Sequence, residues 1–146
     1  MQPQLPEHFL SANLIVCEKI LRETDGIFSV IRAVDVVQFV VPADKDPQKG
    51  RIDLSIFAQV KTAPDYMAEH SVRLYLVRPD GQRQIASDVQ KVTTTGIPGT
   101  AGGFSVSGNI AIITQQTGVH FIVLTVEELD IAQAAFTLVL RRESTH

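Results

Sequence analysis

The sequence has no tryptophan, two tyrosines, two methionines and a single cysteine, and aromatics make up only 6% of its 146 residues. One cysteine, Cys17, excludes an internal disulfide and fits a reducing compartment. Few stacking aromatics argue against a module for sugars or other small ligands. Positive charge is not in excess, since 13 basic against 16 acidic side chains leave a formal charge of −3. Without a Lys/Arg cluster there is no electrostatic footprint for phosphates, so nucleic acid is not expected as a partner. No uncharged apolar run approaches the ~18 residues of a membrane-spanning helix, and Met1-Gln2-Pro3-Gln4-Leu5-Pro6 is neither basic nor apolar enough for a signal peptide. The expectation is a cytoplasmic chain with no membrane partner.

What is present is apolar substance, 45% of the residues. A chain of this length buries roughly two thirds of its unfolded surface and holds a core without metal or disulfide. One domain over residues 1–146 is expected, with loose termini at 1–9 and 143–146. Turn signals recur at short intervals between segments rich in Val, Ile, Phe and Thr, the pattern of an all-β domain. From Arg51 to Lys61 the residues Ile52, Leu54, Ile56, Ala58 and Val60 alternate with polar ones, which predicts a strand with that set inward and Phe57 as an apolar exception outside. Ser71 to Arg78 repeats the scheme with Val72, Leu74 and Leu76 inward. Pro79-Asp80-Gly81 then reverses the chain toward Gln82 to Ala86. Phe104 to Ile113 and Val119 to Val126 flank a short polar link and read as a second hairpin. Ala135 to Arg142 is the last strand.

Leu10, Leu14, Cys17 and Leu21 fall at helical spacing, but Thr24-Asp25-Gly26 is a hairpin signal. The β-branched stretch Ile27 to Val41 beyond it favours strands on both sides. Glu127 to Ala134 is rich in helix formers yet too short for a stable helix, and is read as connection. Pro42 to Gly50 and the glycine-rich Thr93 to Gly103 read as solvated, mobile loops.

The candidate chemistry is sparse. The glycine-rich loop lacks the lysine and the following helix of a phosphate cradle, and reads as an inter-strand loop or, failing that, a surface for a protein. Histidines 8, 70, 120 and 146 lack metal-ligand spacing. His120 reads as a sheet-face residue and His70 as an exposed one. Cys17 beside Glu18 reads as a small buried hydrophobe. Glu127 and Glu128 are neighbours that would point to opposite faces of an extended chain, so they form no acid/base pair. Asp44, Asp46 and Asp53 lack the order of a calcium loop. No catalytic, cofactor-binding or metal residue is assigned. The notable feature is Val36-Val37-Gln38-Phe39-Val40-Val41, with almost no polar break, which reads as a strand covered on both faces or as one meeting another subunit. Phe39, Phe57 and Tyr75 are the candidate interface residues, the last two expected to share the outward side of neighbouring strands.

At Ala12-Asn13-Leu14-Ile15-Val16-Cys17-Glu18, Asp25-Gly26-Ile27-Phe28-Ser29-Val30-Ile31, His70 through Gly81 and Gly118-Val119-His120-Phe121, the chain resembles a family of small bacterial β-sandwich proteins of unknown function. The resemblance implies an intracellular sandwich and supplies no catalytic residue. The expected fold is an antiparallel two-sheet β-sandwich of about seven or eight strands. The expected function is a non-catalytic interaction or structural module, acting through a sheet face or loops and able to form a homo-oligomer. The alternatives are a small ligand-binding module or a small hydrolytic or metal-dependent enzyme, the latter marked by a concave pocket where His70 or His120 meets carboxylates.

Overall fold

A computed structural model describes residues 5–22, 28–41, 50–96, 98–114 and 116–142. Among these the chain forms strands and no helix. One sheet holds four strands in the order β2 (Phe28–Ala33), β1 (Phe9–Arg22), β4 (Gly50–Thr62) and β8 (Gly102–Thr114). The other runs β3 (Val36–Val41), β10 (Leu129–Arg142), β9 (Gly118–Val126), β5 (Glu69–Val77) and β6 (Arg83–Ile85), with β7 (Gln90–Thr93) also pairing β5.

The alternation seen in the sequence decides which residues meet between the sheets. Leu54, Ile56, Ala58 and Val60 from β4 join Val106, Ile110 and Ile112 from β8, and these pack against Val72, Leu74 and Leu76 from β5, Ile122 and Leu124 from β9 and Phe136 from β10 in one core. Completely burying a side chain of this size contributes about 1.5–3 kcal/mol. Because both sheets supply this core, they face one another as a sandwich. The strand reading of Leu10 to Arg22 holds: β1 is extended throughout and pairs β4 on one side and β2 on the other. The turn after Pro79 also holds, with Gly81 at φ 86° and the Asp80 carboxylate accepting the Gln82 amide at 2.9 Å.

Several expectations are corrected. The strands number ten among the described residues, and one pair is parallel, β3 beside β10. Within the β-branched stretch, Phe28 to Val41 forms two strands, β2 and β3. It breaks at Val34-Asp35, where the chain steps from the edge of one sheet to the edge of the other without reversing. Continuing in the direction of β2, β3 arrives parallel to β10 and pairs nothing on its other side among the described residues, so it is an edge strand and not a covered central one. Phe104 to Ile113 and Val119 to Val126 do not form a hairpin, since β8 pairs β4 while β9 pairs β10 and β5. A turn signal announces reversal but not the sheet in which the chain lands.

Glu127 to Ala134 is not a connection either. Two residues, Glu127 and Glu128, make the whole turn, and β10 resumes at Leu129. The glycine-rich segment is held at both ends, Thr95 and Gly103 exchanging backbone bonds of 3.0 and 2.9 Å. Its glycines permit close backbone approach: a Cβ on Gly103 would stand 1.9 Å from the Val60 carbonyl oxygen. Leu5 to Phe9, expected to be loose, is anchored. Phe9 is buried and pairs Thr62, and the His8 carbonyl accepts the Ala63 amide at 2.8 Å. The Thr24-Asp25-Gly26 turn, the loop at 42–49 and the tail 143–146 lie outside the described residues.

Candidate functional site

Four described residues other than glycine adopt positive φ: His8 (72°), Asp65 (63°), Glu127 (50°) and Glu128 (65°). They gather at one end of the sandwich, before β1, in the β4–β5 connection and in the β9–β10 turn. A left-handed conformation costs an L-residue roughly 1–2 kcal/mol, so the surroundings must hold each of them in place. Buried Thr94 fixes the β4–β5 connection, its hydroxyl accepting the Ala68 amide at 2.9 Å and donating to the Tyr66 carbonyl at 2.7 Å. The His8 ring stacks on Tyr66 with centroids 4.7 Å apart. Tyr66 Oη lies 3.0 Å from His70 Nε2, and His70 Nδ1 lies 3.3 Å from Glu127 Oε1.

A carboxylate only accepts, so Nδ1–H donates to Glu127 and Nε2 accepts the Tyr66 hydroxyl. Glu127 Oε1 also accepts the Ser71 amide at 3.0 Å. That amide, followed by the His70 ring, holds the Glu127 carboxyl below its usual range. His70 therefore meets a carboxylate, and its side chain is 13% exposed instead of free in solvent as expected. Both ring nitrogens are engaged. Ser71, the nearest hydroxyl in sequence, points to the other side of β5, where it accepts Lys91 Nζ at 2.9 Å. The cluster joins a hydrogen-bond relay to a strained turn without placing a nucleophile on the histidine.

The other glutamate of the turn reaches the outer face of the six-stranded sheet. Glu128 Oε2 accepts the Tyr75 hydroxyl at 2.6 Å. The Arg83 guanidinium lies 4.2 Å above the Tyr75 ring centroid and donates to both Asp130 oxygens at 2.8 and 3.0 Å. Those bonds raise the Arg83 pKa above its ordinary value. In the same row Val123, the cross-strand partner of Tyr75, is buried although it faces outward. Glu127 and Glu128 thus diverge as expected, but from a tight turn and not from an extended strand.

Beyond this polar clamp the outer face carries several exposed valines interspersed with Gln38, Thr137 and, beside Val40, Arg141. The registers place Val77 beside Phe121 and Phe121 beside Ala135, then Val119 beside Thr137 and Thr137 beside Val36, then Val139 beside Gln38. Val36 is 62% exposed, Val40 48%, Val119 46% and Val139 41%. The outer face of the four-stranded sheet differs, carrying Asn13, Gln59, Ser105, Ser107 and Asn109 around Ile15 and Phe57. The three candidate interface residues are not brought together. Tyr75 belongs to β5 and Phe57 to β4, in different sheets with outward faces on opposite sides of the molecule, so they are not on neighbouring strands. Tyr75 is taken up by Glu128 and Arg83. Phe39 is in β3, and its side chain lies outside the described set. Val119 and Val139 were missed because single valines in alternating strands carry no signal of the face they share.

His120 is buried, stacks on Phe136 at 5.2 Å and donates Nδ1–H to the Gly118 carbonyl at 3.1 Å; burial lowers its pKa. Cys17 is buried, its thiol 3.5 Å from the Ser55 carbonyl, and burial raises its pKa. Asp53 pairs with exposed Arg51, while Asp44 and Asp46 lie outside the described residues. Among the described residues no three His, Cys, Asp or Glu side chains gather as metal ligands, and no helix is long and apolar enough to cross a membrane.

No protein-family model and no curated protein matches the chain. Among solved structures it is similar to a CARDB domain from Pyrococcus furiosus in complex with di-metal ions, at 16% identity and a TM-score of 0.42, over 93% of this chain and 94% of that one. A beta-glucosidase from Listeria innocua in complex with glucose gives 9% identity and a TM-score of 0.43, over 91% of this chain. An alkylpurine DNA glycosylase from Pseudomonas fluorescens bound to DNA gives 12% and 0.38, over 86%. This chain spans 16% of the length of that glucosidase and 30% of that glycosylase. Superpositions at this level assign no function.

Proposed function

We propose that the chain is a non-catalytic interaction module that self-associates through the β3 edge of its six-stranded sheet, joining the outer faces of two copies. The observation that carries this reading is the valine-lined strip Val36, Val40, Val119 and Val139, exposed on that face and ending at the edge strand β3. Edge strands are normally protected by charge, proline or a bulge. The sequence of β3, VVQFVV, contains neither charge nor proline. A second copy is the favoured partner because the strand is self-complementary: antiparallel pairing about a twofold axis through Gln38 sets Val36 opposite Val40 of the other copy. Such pairing would satisfy the free edge and extend the valine strip across both molecules.

A hydrolytic reading draws less support, since the relay at His70 ends on Tyr66 with no free ring nitrogen to serve a nucleophile. The lone, buried cysteine is in keeping with work in the cytoplasm. The test is molar mass by light scattering across a concentration series. The natural chain is expected as a dimer, and Val36→Lys together with Val40→Lys, which sets like charges opposite one another across the twofold, as a folded monomer. A monomeric natural chain at all concentrations, or a doubly substituted chain that still dimerises, rejects the reading.

A further inference from the structure

Independently of that face, a slot opens on the flank of the sandwich where β1 and β10 run past the strands that cover them. β2 pairs β1 only from Cys17 to Arg22, and β3 pairs β10 only from Thr137 to Arg142. Among the described residues, no strand lies beside the earlier half of β1 or of β10 on that side. The space left is a cavity of about 760 Å³ whose walls include Leu10, Ala12 and Leu14 from β1 and Ile131, Ala132 and Gln133 from β10. Among the described residues no lining side chain is charged.

The registers show which backbone groups face the slot. The Val16 carbonyl accepts the Val34 amide at 2.8 Å, on the β2 side of β1. Within a strand the N–H and C=O of one residue share a side and alternate with those of the next. The amides and carbonyls of Ala12 and Leu14 therefore point into the slot, and those of Asn13 and Ile15 point to β4. On the opposite wall the Thr137 amide donates to the Asp35 carbonyl at 2.8 Å, so the backbone of Ala135 and Gln133 faces the same opening. Among the described residues both walls thus offer unpaired strand edges, continuous with the edges that β2 and β3 already occupy.

We infer that this slot is a binding site for an extended, uncharged peptide segment of a partner protein, which pairs with β1 at Ala12 and Leu14 and continues the line of β2. The recognition is strand addition: the backbone ladder supplies affinity, and a lining of aliphatic and neutral polar side chains, Ser11, Asn13 and Gln133 among them, selects uncharged side chains. A charged segment would lose its hydration against walls that hold no counter-charge.

The test uses the full chain and a blocked peptide of alternating valine and threonine, about eight residues long, which spans the edge at ~3.3 Å per residue. The control is the same peptide N-methylated at alternate amides. Hydrogen exchange is followed amide by amide. With the first peptide, exchange at Ala12 and Leu14 is expected to slow about tenfold or more, while Asn13 and Ile15, already bonded to β4, do not change; the methylated peptide has no effect. Ala12→Pro removes a slot-facing donor at an edge position where proline is tolerated. It is expected to abolish binding while protection at Asn13 and Ile15 reports an intact ladder, and if it unfolds the natural chain alone decides. Unchanged exchange at Ala12 and Leu14, slowing at β3 instead, or undiminished binding by folded Ala12→Pro overturns the inference.

Discussion

Tyr66 donates its phenolic hydrogen to His70 Nε2 across 3.0 Å, while the opposite nitrogen of the same ring is committed to Glu127. The relay ties the β4–β5 connection to the β9–β10 turn, two left-handed segments far apart in sequence. Strain in each is thereby set against a shared set of hydrogen bonds and ring contacts. Phe9, packed edge-on against His70 at 5.3 Å, joins that end of the molecule to the core.

Strain at Glu128 can be separated from its bond to Tyr75. Glycine at 128 removes about 1 kcal/mol of left-handed cost but also removes the carboxylate that accepts the Tyr75 hydroxyl. An exposed charge-assisted bond is worth up to about 1 kcal/mol, so Glu128→Gly is expected to change stability little. In a Tyr75→Phe background, where the bond is already absent, the same substitution is expected to stabilise by about 1 kcal/mol. Urea unfolding of the four chains measures both values.

Buried His120 and the paired carboxylates make stability depend on pH in separate windows, Asp80, held low by the Gln116 side chain, acting in the same direction as Glu127. His120 is held neutral by burial, its folded pKa below the ordinary imidazole value. As pH falls below that ordinary value the unfolded chain takes up a proton that the folded chain refuses, and stability declines until the folded pKa is passed. Glu127 has a depressed pKa, so its contribution is complete above the ordinary glutamate value and is lost as pH falls through the folded one. Thermal melts from pH 8 to pH 3 are expected to show both declines. His120→Phe, which keeps the stacking on Phe136, should flatten the first, and Glu127→Gln should reduce the second, leaving the part that Asp80 contributes.

Glycine serves different ends at 103 and 81. At Gly81 a Cβ meets nothing within 4 Å, and only φ opposes substitution. Gly81→Ala is expected to cost about 1 kcal/mol. At Gly103 the Cβ would strike the Val60 carbonyl, and β4 and β8 would have to part. Gly103→Ala is expected to cost about 3 kcal/mol or more, in the range of severe core lesions. Chemical denaturation of the two variants distinguishes them.

Much of the strand content could be read along the chain, as could the almost unbroken apolar run of β3 and the suspicion that His70 meets a carboxylate; which carboxylate, and which residues share a face with β3, could not. The alternation at Arg51 to Lys61 and at Ser71 to Arg78 marks inward faces directly, because a two-residue period needs no knowledge of the partner. The Pro79-Asp80-Gly81 turn is equally local. The turn at Glu127-Glu128 was hidden, since residues that favour helices in isolation are held left-handed by His70, Ser71 and Tyr75 from β5.

The amino-acid order by itself determined an extended, alternating chain that must bury one face of each strand, for burial and pleat are properties of each segment alone. Only the tertiary structure decided which sheet receives β3 and β9, which valines share an outer face, and where β1 and β10 outrun their neighbours. Those outcomes depend on pairing between distant segments, and a period-two pattern is satisfied equally well by any partner of the right register.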